Sequence, residues 1–241
     1  MKRILSLTRQ AIQKYNMINE GDKIAVALSG GKDSFVLFEA MNRLKAFYPV
    51  NFELGAIYID IGFDENNSDT ISEYCRKAGI SCHIEKSVIK EVVFDKTQTK
   101  NPCSLCSRMR RACLCQTAKE HGYNKIALGH NKDDANETLL LNIFYNGKTE
   151  CFEPRTFYED IDLEIIRPLI MCDEKIISSA AKRYELPVCK KVCPIDGKTD
   201  REKIKNIIAD ISAINPKISE NIFSAIQKLE FFTSKEDGES K

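Results

Sequence analysis

Apolar residues recur along the chain in two rhythms that take turns. From Ile4 to Met17 they fall at roughly helical intervals, and the helix they predict ends near Gly21. Lys23-Ile24-Ala25-Val26-Ala27-Leu28 then forms a short continuous run, as expected of a parallel strand buried on both faces, and Phe35-Val36-Leu37-Phe38 opens a helix behind it. The same order returns at Leu54–Asp60 with a helix up to Ala78, at the strand Ser81–Glu85, and at Lys125–Gly129 with a helix from Asp133 to Tyr145. Between the third and fourth strands a longer helix covers Ser104 to His121, preceded by the loop Thr97 to Pro102. Beyond Arg167-Pro168-Leu169 the pattern is helical from Glu174 to Tyr184, breaks at a Pro- and Cys-bearing loop from Leu186 to Gly197, and is helical again up to Leu229.

Strands alternating with helices predict an α/β fold: a doubly wound parallel sheet with helices on both faces, followed by a helical C-terminal extension. Ligands of such sheets sit beyond the carboxyl ends of the strands, so the loops after Leu28, Ile59 and Leu128 are expected to face one site. The expected organisation is an N-terminal helix over 1–20, a sheet domain over 21–170 with the Ser104–His121 helix inserted, a helical region over 171–232, and a polar tail over 233–241.

Composition narrows the chemistry. A chain of 241 residues, 43% of them hydrophobic, can bury one substantial core. Lys and Arg number 36 against 35 Asp and Glu, so a nucleic-acid site, if there is one, must be a local patch. No secretory pattern follows Met1, and no apolar run approaches the roughly 18 residues of a membrane span. A cytoplasmic protein without a membrane partner is expected, and in a reducing compartment its ten cysteines point to metal ligation, catalytic sulfur or burial rather than to disulfides.

Ser29-Gly30-Gly31-Lys32-Asp33-Ser34 follows the first strand and opens a helix. Two glycines let the backbone turn and bring N–H groups close to phosphate oxygens, the helix N-terminus favours an anion, Ser29 and Ser34 add hydroxyls, and Lys32 adds a movable positive charge. An ordinary turn has no use for that set. The spacing is not that of the Walker loop. Asp60 after the second strand, and Asp133-Asp134 after Gly129-His130-Asn131, fall where a common crevice is expected, and carboxylates there suit Mg²⁺. The plainer alternative for Asp60 and Asp133 is helix capping.

Cys103-Ser104-Leu105-Cys106 sets two thiols at metal-binding spacing, and a second cysteine loop, Cys189-Lys190-Lys191-Val192-Cys193, lies far along the chain. The open choices are a four-thiolate zinc site, an iron–sulfur cluster on a subset, or a redox or sulfur-carrying pair. Cys75, Cys82, Cys113, Cys115, Cys151 and Cys172 read as packing residues. Arg108, Arg110 and Arg111, with Lys190 and Lys191, gather positive charge beside the proposed chemistry, where an RNA backbone needs it.

Ser29 to Ser34 resembles the SGGxDS signature of the PP-loop, or N-type, ATP pyrophosphatases. The resemblance implies a Rossmann-like, HUP-type sheet over 21–170, cleavage of ATP to AMP and pyrophosphate with an adenylated substrate, and Mg²⁺ anchored by Asp33 and Asp133. Cys103 to Arg111, Gly129 to Asp134 with Glu137-Thr138, Ile166-Arg167-Pro168-Leu169, and Cys193-Pro194 with Asp196 to Thr199 are similar to the tRNA 2-thiocytidine synthetase branch, in its short form. That branch implies a [4Fe-4S] cluster on Cys103, Cys106 and Cys193 with one iron open, and sulfur delivered to an adenylated cytidine of the tRNA anticodon loop. Its larger members carry C-x-x-C in the final segment, so Cys189 stands as the fallback third ligand. On this view Lys32, Asp33, Asp133 and Asp134 are catalytic; Ser29 to Ser34, Asp60, Gly129 and His130 bind the nucleotide; and the five basic residues bind tRNA. A sulfur donor such as a cysteine desulfurase, and a second copy of the chain, complete the partners. The alternatives are a PP-loop enzyme acting on another tRNA base or a small metabolite, and a non-catalytic module binding zinc and a nucleotide.

Overall fold

The computed structural model describes residues 1–63, 66–96, 102–189, 193 and 200–229. The predicted alternation is present: α1 (Lys2–Lys14), β1 (Asp22–Leu28), α2 (Lys32–Lys45), β2 (Phe52–Asp60), α3 (Asn66–Lys77), β3 (Cys82–Lys86), α4 (Pro102–Glu120), β4 (Lys125–Ala127) and α5 (Lys132–Leu141) follow one another. Two strands were not expected from the sequence, β5 (Arg155–Tyr158) and β6 (Leu163–Ile166). Both are four residues long and too short to show a period. The chain ends in α6 (Glu174–Arg183), α7 (Asp200–Ile214) and α8 (Ile218–Ile226).

The strands form one sheet in the order β3-β2-β1-β4-β6-β5, parallel except for β5, which pairs antiparallel with β6 at the edge. Leaving β1, the chain crosses to β2 on one side, whereas β4 pairs with β1 on the other. The crevice between the carboxyl ends of β1 and β4 is therefore the topological switch point, the place where such sheets bind ligands.

Alternating strand residues fill two core layers. Ile24, Val26 and Leu28 of β1, with Leu54, Ala56 and Tyr58 of β2, face a layer completed by Ile12 of α1, Phe35 and Phe38 of α2, Ile177 of α6 and Phe223 of α8. Ala25, Ile57, Ile59 and Ile165 face the other layer, closed by Leu114, Cys115 and Ala118 of α4, by Ile89, and by Val93 of a π-helical turn over Glu91–Lys96. The helix bearing the first cysteine pair thus covers the opposite face from α1, α2, α6 and α8. Of the C-terminal helices, α6 and α8 share the first layer.

Candidate functional site

The loop after β1 is held by hydroxyls. Ser34 Oγ accepts from Ser29 N at 3.0 Å and from Ser29 Oγ at 3.1 Å, and donates to the Gly31 carbonyl at 2.8 Å. Gly30 lies at φ +79°, which a residue with a Cβ adopts only at a cost, and Gly31 begins α2 without a side-chain cap. The first turn of α2 is therefore kept for an acceptor from outside the helix. Gly129 after β4 presses on that turn, since a Cβ there would stand 3.1 Å from Asp33 C and Ser34 N.

Asn131 ties the two loops together. It caps α5 by accepting from Asp133 N at 2.9 Å and Asp134 N at 3.2 Å, its own N–H donates to Asp134 Oδ2 at 2.9 Å, and its amide donates to Asp33 Oδ1 at 3.1 Å. Asp33 and Asp134 are thereby brought to one cavity of about 370 Å³ with Ser29, Ser34, Gly129 and His130. Burial raises the pKa of Asp134, opposed by its hydrogen bond from Asn131 and by Arg201. Asp133 points elsewhere: it accepts from Glu174 N at 2.6 Å, capping α6, and lines a separate groove with Arg3, Asp173 and Ser219. Asp60 is also turned to structure, accepting from Gly62 N at 2.9 Å and Ser68 Oγ at 3.1 Å. Asp133 thus caps α6 rather than its own helix, where Asn131 is the cap, and Asp60 bonds a loop N–H and a side-chain hydroxyl among the described residues rather than a helix N-terminus.

Lys32 reaches Glu174 at 2.8 Å and Asp33 at 3.0 Å. Burial disfavours its charge, but the bonds to these carboxylates win and its pKa stays raised. Glu174 is shared with Lys205 of α7 at 2.8 Å, and Arg201 of α7 reaches Asp134 at 3.2 Å, Thr138 at 3.1 Å and Glu137 at 3.7 Å. Burial pushes Glu137 up to about 7, with Arg201 working against it. Asn131, Glu174, Arg201 and Lys205 were not singled out from the sequence. The nearest sequence signal is the Asn131-x-x-Asp134 capping pattern, while Arg201 and Lys205 look like ordinary charges on a solvated helix.

His130 stacks on Phe152 at 4.9 Å, and the Arg167 guanidinium lies over the other ring at 5.1 Å. Burial, and then the charges of Arg167, Arg201 and Arg111, bring its pKa down to about 3, so the ring is neutral at physiological pH. Its Nδ1 is buried without a hydrogen-bond partner among the described residues, on a cavity wall where an incoming ligand can supply one. The opposite wall is α4, through Ser107, Arg110, Arg111 and Leu114. Arg110 is pressed inward, and burial lowers its pKa against the pull of Tyr58 and Cys106. Arg108 is exposed and does not line the cavity.

The cysteines divide. Burial raises the Cys106 thiol, Arg110 opposes this, and the charges of Cys193 and Cys103 push it further up. Cys103 and Cys193 are exposed and Cys106 half-buried. Among the described residues no three His, Cys, Asp or Glu side chains converge tightly enough for a single metal ion. The free thiols of Cys103, Cys106 and Cys193 nevertheless supply the donor chemistry of a thiolate-bound iron–sulfur centre. Cys189 is placed differently, donating its N–H to the Gly30 carbonyl at 2.9 Å with Sγ 3.1 Å from where a Cβ on Gly30 would be. Cys151 and Cys172 are pushed up to about 12 by burial and serve as packing. Lys190 and Lys191 lie outside the described residues.

A family model described as a PP-loop domain matches residues 4–210. The chain is 41% identical over 234 residues to the tRNA-cytidine(32) 2-sulfurtransferase of Alcanivorax borkumensis, covering 95% of this chain and 81% of that protein. It belongs to the PP-loop family, among the tRNA-cytidine(32) 2-sulfurtransferases. The enzyme of that name from Geobacter metallireducens is 35% identical over 224 residues, which are 92% of this chain and 87% of the relative. A solved structure, the U34-tRNA thiolase NcsA from Methanococcus maripaludis with its [4Fe-4S] cluster, superposes with a TM-score of 0.77 at 24% identity, over 99% of this chain and 81% of that one. At that identity the likeness establishes the fold, the PP-loop version of the doubly wound sheet. In this PP-loop chain the loop stands at the switch point, and the first cysteine pair lies on α4, the helix that walls the cavity.

Proposed function

We propose that this chain is an ATP-dependent tRNA sulfurtransferase that converts a cytidine of the anticodon loop, position 32 by its relatives, to 2-thiocytidine. The observation that carries the reading is one cavity walled by two kinds of chemistry: a phosphate-binding loop with Asp33 and Asp134 on one side, and the Cys103–Cys106 helix on the other. ATP activates the base oxygen as an adenylate with loss of pyrophosphate, and sulfur then replaces that oxygen as AMP leaves. Oxygen bound to an adenylyl phosphorus is a far better leaving group than the base carbonyl oxygen.

The loop and the first turn of α2 cradle the pyrophosphate, with Lys32 exchanging Glu174 for phosphate oxygens. Asp33 and Asp134, held by Asn131, are the carboxylates that would hold Mg²⁺, which when bound screens pyrophosphate charge. Asp133 supports them indirectly by fixing α6 and so Glu174. Neutral His130 offers its unpartnered Nδ1 to the bound nucleotide or base. Cys103, Cys106 and Cys193 would hold a [4Fe-4S] cluster, which when bound supplies an iron free of protein ligands. Arg110 and Arg111 offset anionic charge at the same wall, and the exposed Arg108 adds a charge for tRNA; Lys190 and Lys191, outside the described residues, are the further candidates from the sequence. No helix among the described residues is long and apolar enough to cross a membrane; the proposed tRNA substrate is what puts the work in the cytoplasm. A cysteine desulfurase fits as sulfur source, and a homodimer is the assembly to look for by light scattering.

Anaerobically reconstituted protein is expected to carry about four iron and four sulfide per chain, the content of the cluster class named above. It should form 2-thiocytidine in tRNA lacking the modification, read by nucleoside mass spectrometry. Cys103→Ala and Cys193→Ala are expected to lose both iron and product, whereas Cys189→Ala keeps the iron. One zinc per chain without iron would sink the mechanism and leave a PP-loop enzyme with another substrate.

A further inference from the structure

A groove of about 640 Å³ lies outside the nucleotide cavity, between the start of α1, the length of α6 and the Pro216–Glu220 stretch leading into α8. Three exposed cations line it: Arg3 of α1, and Lys175 and Arg183 of α6. Lys175, Ser179 and Arg183 follow at intervals of four, so they share one face of α6 over about 12 Å of helix axis.

The acids of the same groove are already engaged. Asp133 accepts the Glu174 N–H at 2.6 Å, and Asp173 and Glu220 both bond the buried Lys132, Glu220 at 3.7 Å. Among the described residues no carboxylate pairs with Arg3, Lys175 or Arg183. Arg3 also stands against the ordinary preference of helix ends. α1 opens on Lys2 and Arg3 with no acidic residue in its first turn, so positive side chains crowd the end where the helix dipole is itself positive. An anion from outside relieves that crowding.

The groove borders the catalytic crevice. Adjacent aspartates of α5 divide the two, Asp134 lining the cavity and Asp133 the groove. Glu174 bonds Lys32 of the phosphate loop at 2.8 Å, and Lys175 is the next residue of α6, so the row of cations begins one residue from a side chain that holds the loop. A chain of phosphodiesters with one nucleotide in the cavity has the length to follow that row, whereas a single small anion meets only one end of it.

We infer that this groove holds the phosphodiester backbone of the tRNA, with Arg3, Lys175 and Arg183 contacting phosphates. The inference rests on the reading of the chain as a tRNA enzyme. It gives the RNA a line of contact on the α1 and α6 side of the sheet, apart from the arginines of α4 on the other. Backbone contacts of this kind fix the register of the RNA without reading its sequence.

The test compares three proteins: the unsubstituted chain, a groove variant carrying Arg3→Gln, Lys175→Gln and Arg183→Gln, and a control carrying Lys23→Gln, Lys77→Gln and Lys119→Gln. The control charges are exposed and lie toward the amino ends of the strands, at the start of β1 and in the last turns of α3 and α4. Affinity for unmodified tRNA is read by fluorescence anisotropy across a series of KCl concentrations, and equilibrium dialysis with ATP checks the fold. The groove variant is expected to bind tRNA at least about 10-fold more weakly at low salt, with a log–log salt slope smaller by about 2, at roughly 0.7 for each lost phosphate contact. Its ATP affinity should match that of the other two proteins, and the control should keep its tRNA affinity. If the groove variant loses ATP binding, the three single variants decide, each expected to lower the slope by about 0.7. Equal tRNA affinity and slope in the groove and control variants would overturn the inference, and if the unsubstituted chain still forms 2-thiocytidine the reading beneath it stands. If the unsubstituted chain binds tRNA but forms no 2-thiocytidine, the thiolation reading fails and the same comparison still decides the groove. No binding of tRNA by the unsubstituted chain would overturn both.

Discussion

Glu137 shows how burial sets the behaviour of a single carboxyl. Its pKa is pushed up from 4.5 to about 7, first by desolvation, with Arg201 only partly restoring the charge. A carboxyl held above its unfolded value binds its proton more tightly in the native state. Its contribution to stability is therefore complete below 4.5 and is lost as pH rises through about 7. Relative to Glu137→Gln, the unsubstituted protein is expected to lose about 3 kcal/mol of unfolding free energy on going from acid to alkaline sides of this window, measured by urea titration at each pH. A flat difference would mean that Glu137 is ionised in the fold. Residue identity was partly legible beforehand: Ser29 to Ser34 needed no structure, because glycines, hydroxyls, a lysine and an aspartate beside a strand have one economical use. Glu137 drew notice only as part of a resemblance, since a carboxylate on a helix is unremarkable until its burial is known.

Helix ends explain why adjacent aspartates do different work. Asp134 is the third residue of α5 and closes a capping box with Asn131, which turns it toward Asp33 and the cavity. Asp133, one step round the helix, is swung toward α6 and takes the Glu174 N–H at 2.6 Å. A hydrogen bond to a charged acceptor at a helix start is worth about 1.5–3 kcal/mol, so Asp133→Ala should lower stability by that order in chemical denaturation. Its ATP affinity should fall only as far as α6 and Glu174 relax. Asp134→Asn keeps an oxygen for the Asn131 N–H and loses only the partly exposed pair with Arg201, so it is expected to cost about 1 kcal/mol or less and to abolish Mg²⁺-dependent pyrophosphate release. If Asp133→Asn silenced pyrophosphate release without loss of stability while Asp134→Asn did not, the two roles would have to be exchanged. The sequence made the aspartates candidates together; a rotation of one residue about α5 separated them, and residue spacing alone does not show which neighbour waits on each side. For β5 and β6 the limit was length, since four residues carry too little pattern to be told from loop.

Across the whole molecule, the amino ends of the strands hold stability and the carboxyl ends hold chemistry. Buried Lys125 of β4 bonds Asp22 of β1 at 2.9 Å, Glu164 of β6 at 2.9 Å and the Met17 carbonyl at 2.9 Å, pinning three strands and the α1–β1 connection at the end remote from the loop. Removing one partner from such a buried network leaves uncompensated charge, and Lys125→Ala is expected to cost about 3–5 kcal/mol. Where folded protein remains, its ATP affinity should match that of the unsubstituted chain; a large loss of affinity at full folding would contradict this division of labour. The alternation of apolar runs with helical periods determined by itself that a parallel sheet forms, and the Ser29–Ser34 motif marked the loop after β1 as the candidate phosphate loop, because burial on both faces and a glycine-rich turn each leave a local mark. Which aspartate faces the cavity and how α7 reaches Lys32 through Glu174 were decided only by tertiary structure. Those outcomes depend on distances between segments far apart in the chain, set by how the helices pack on the two faces of the sheet.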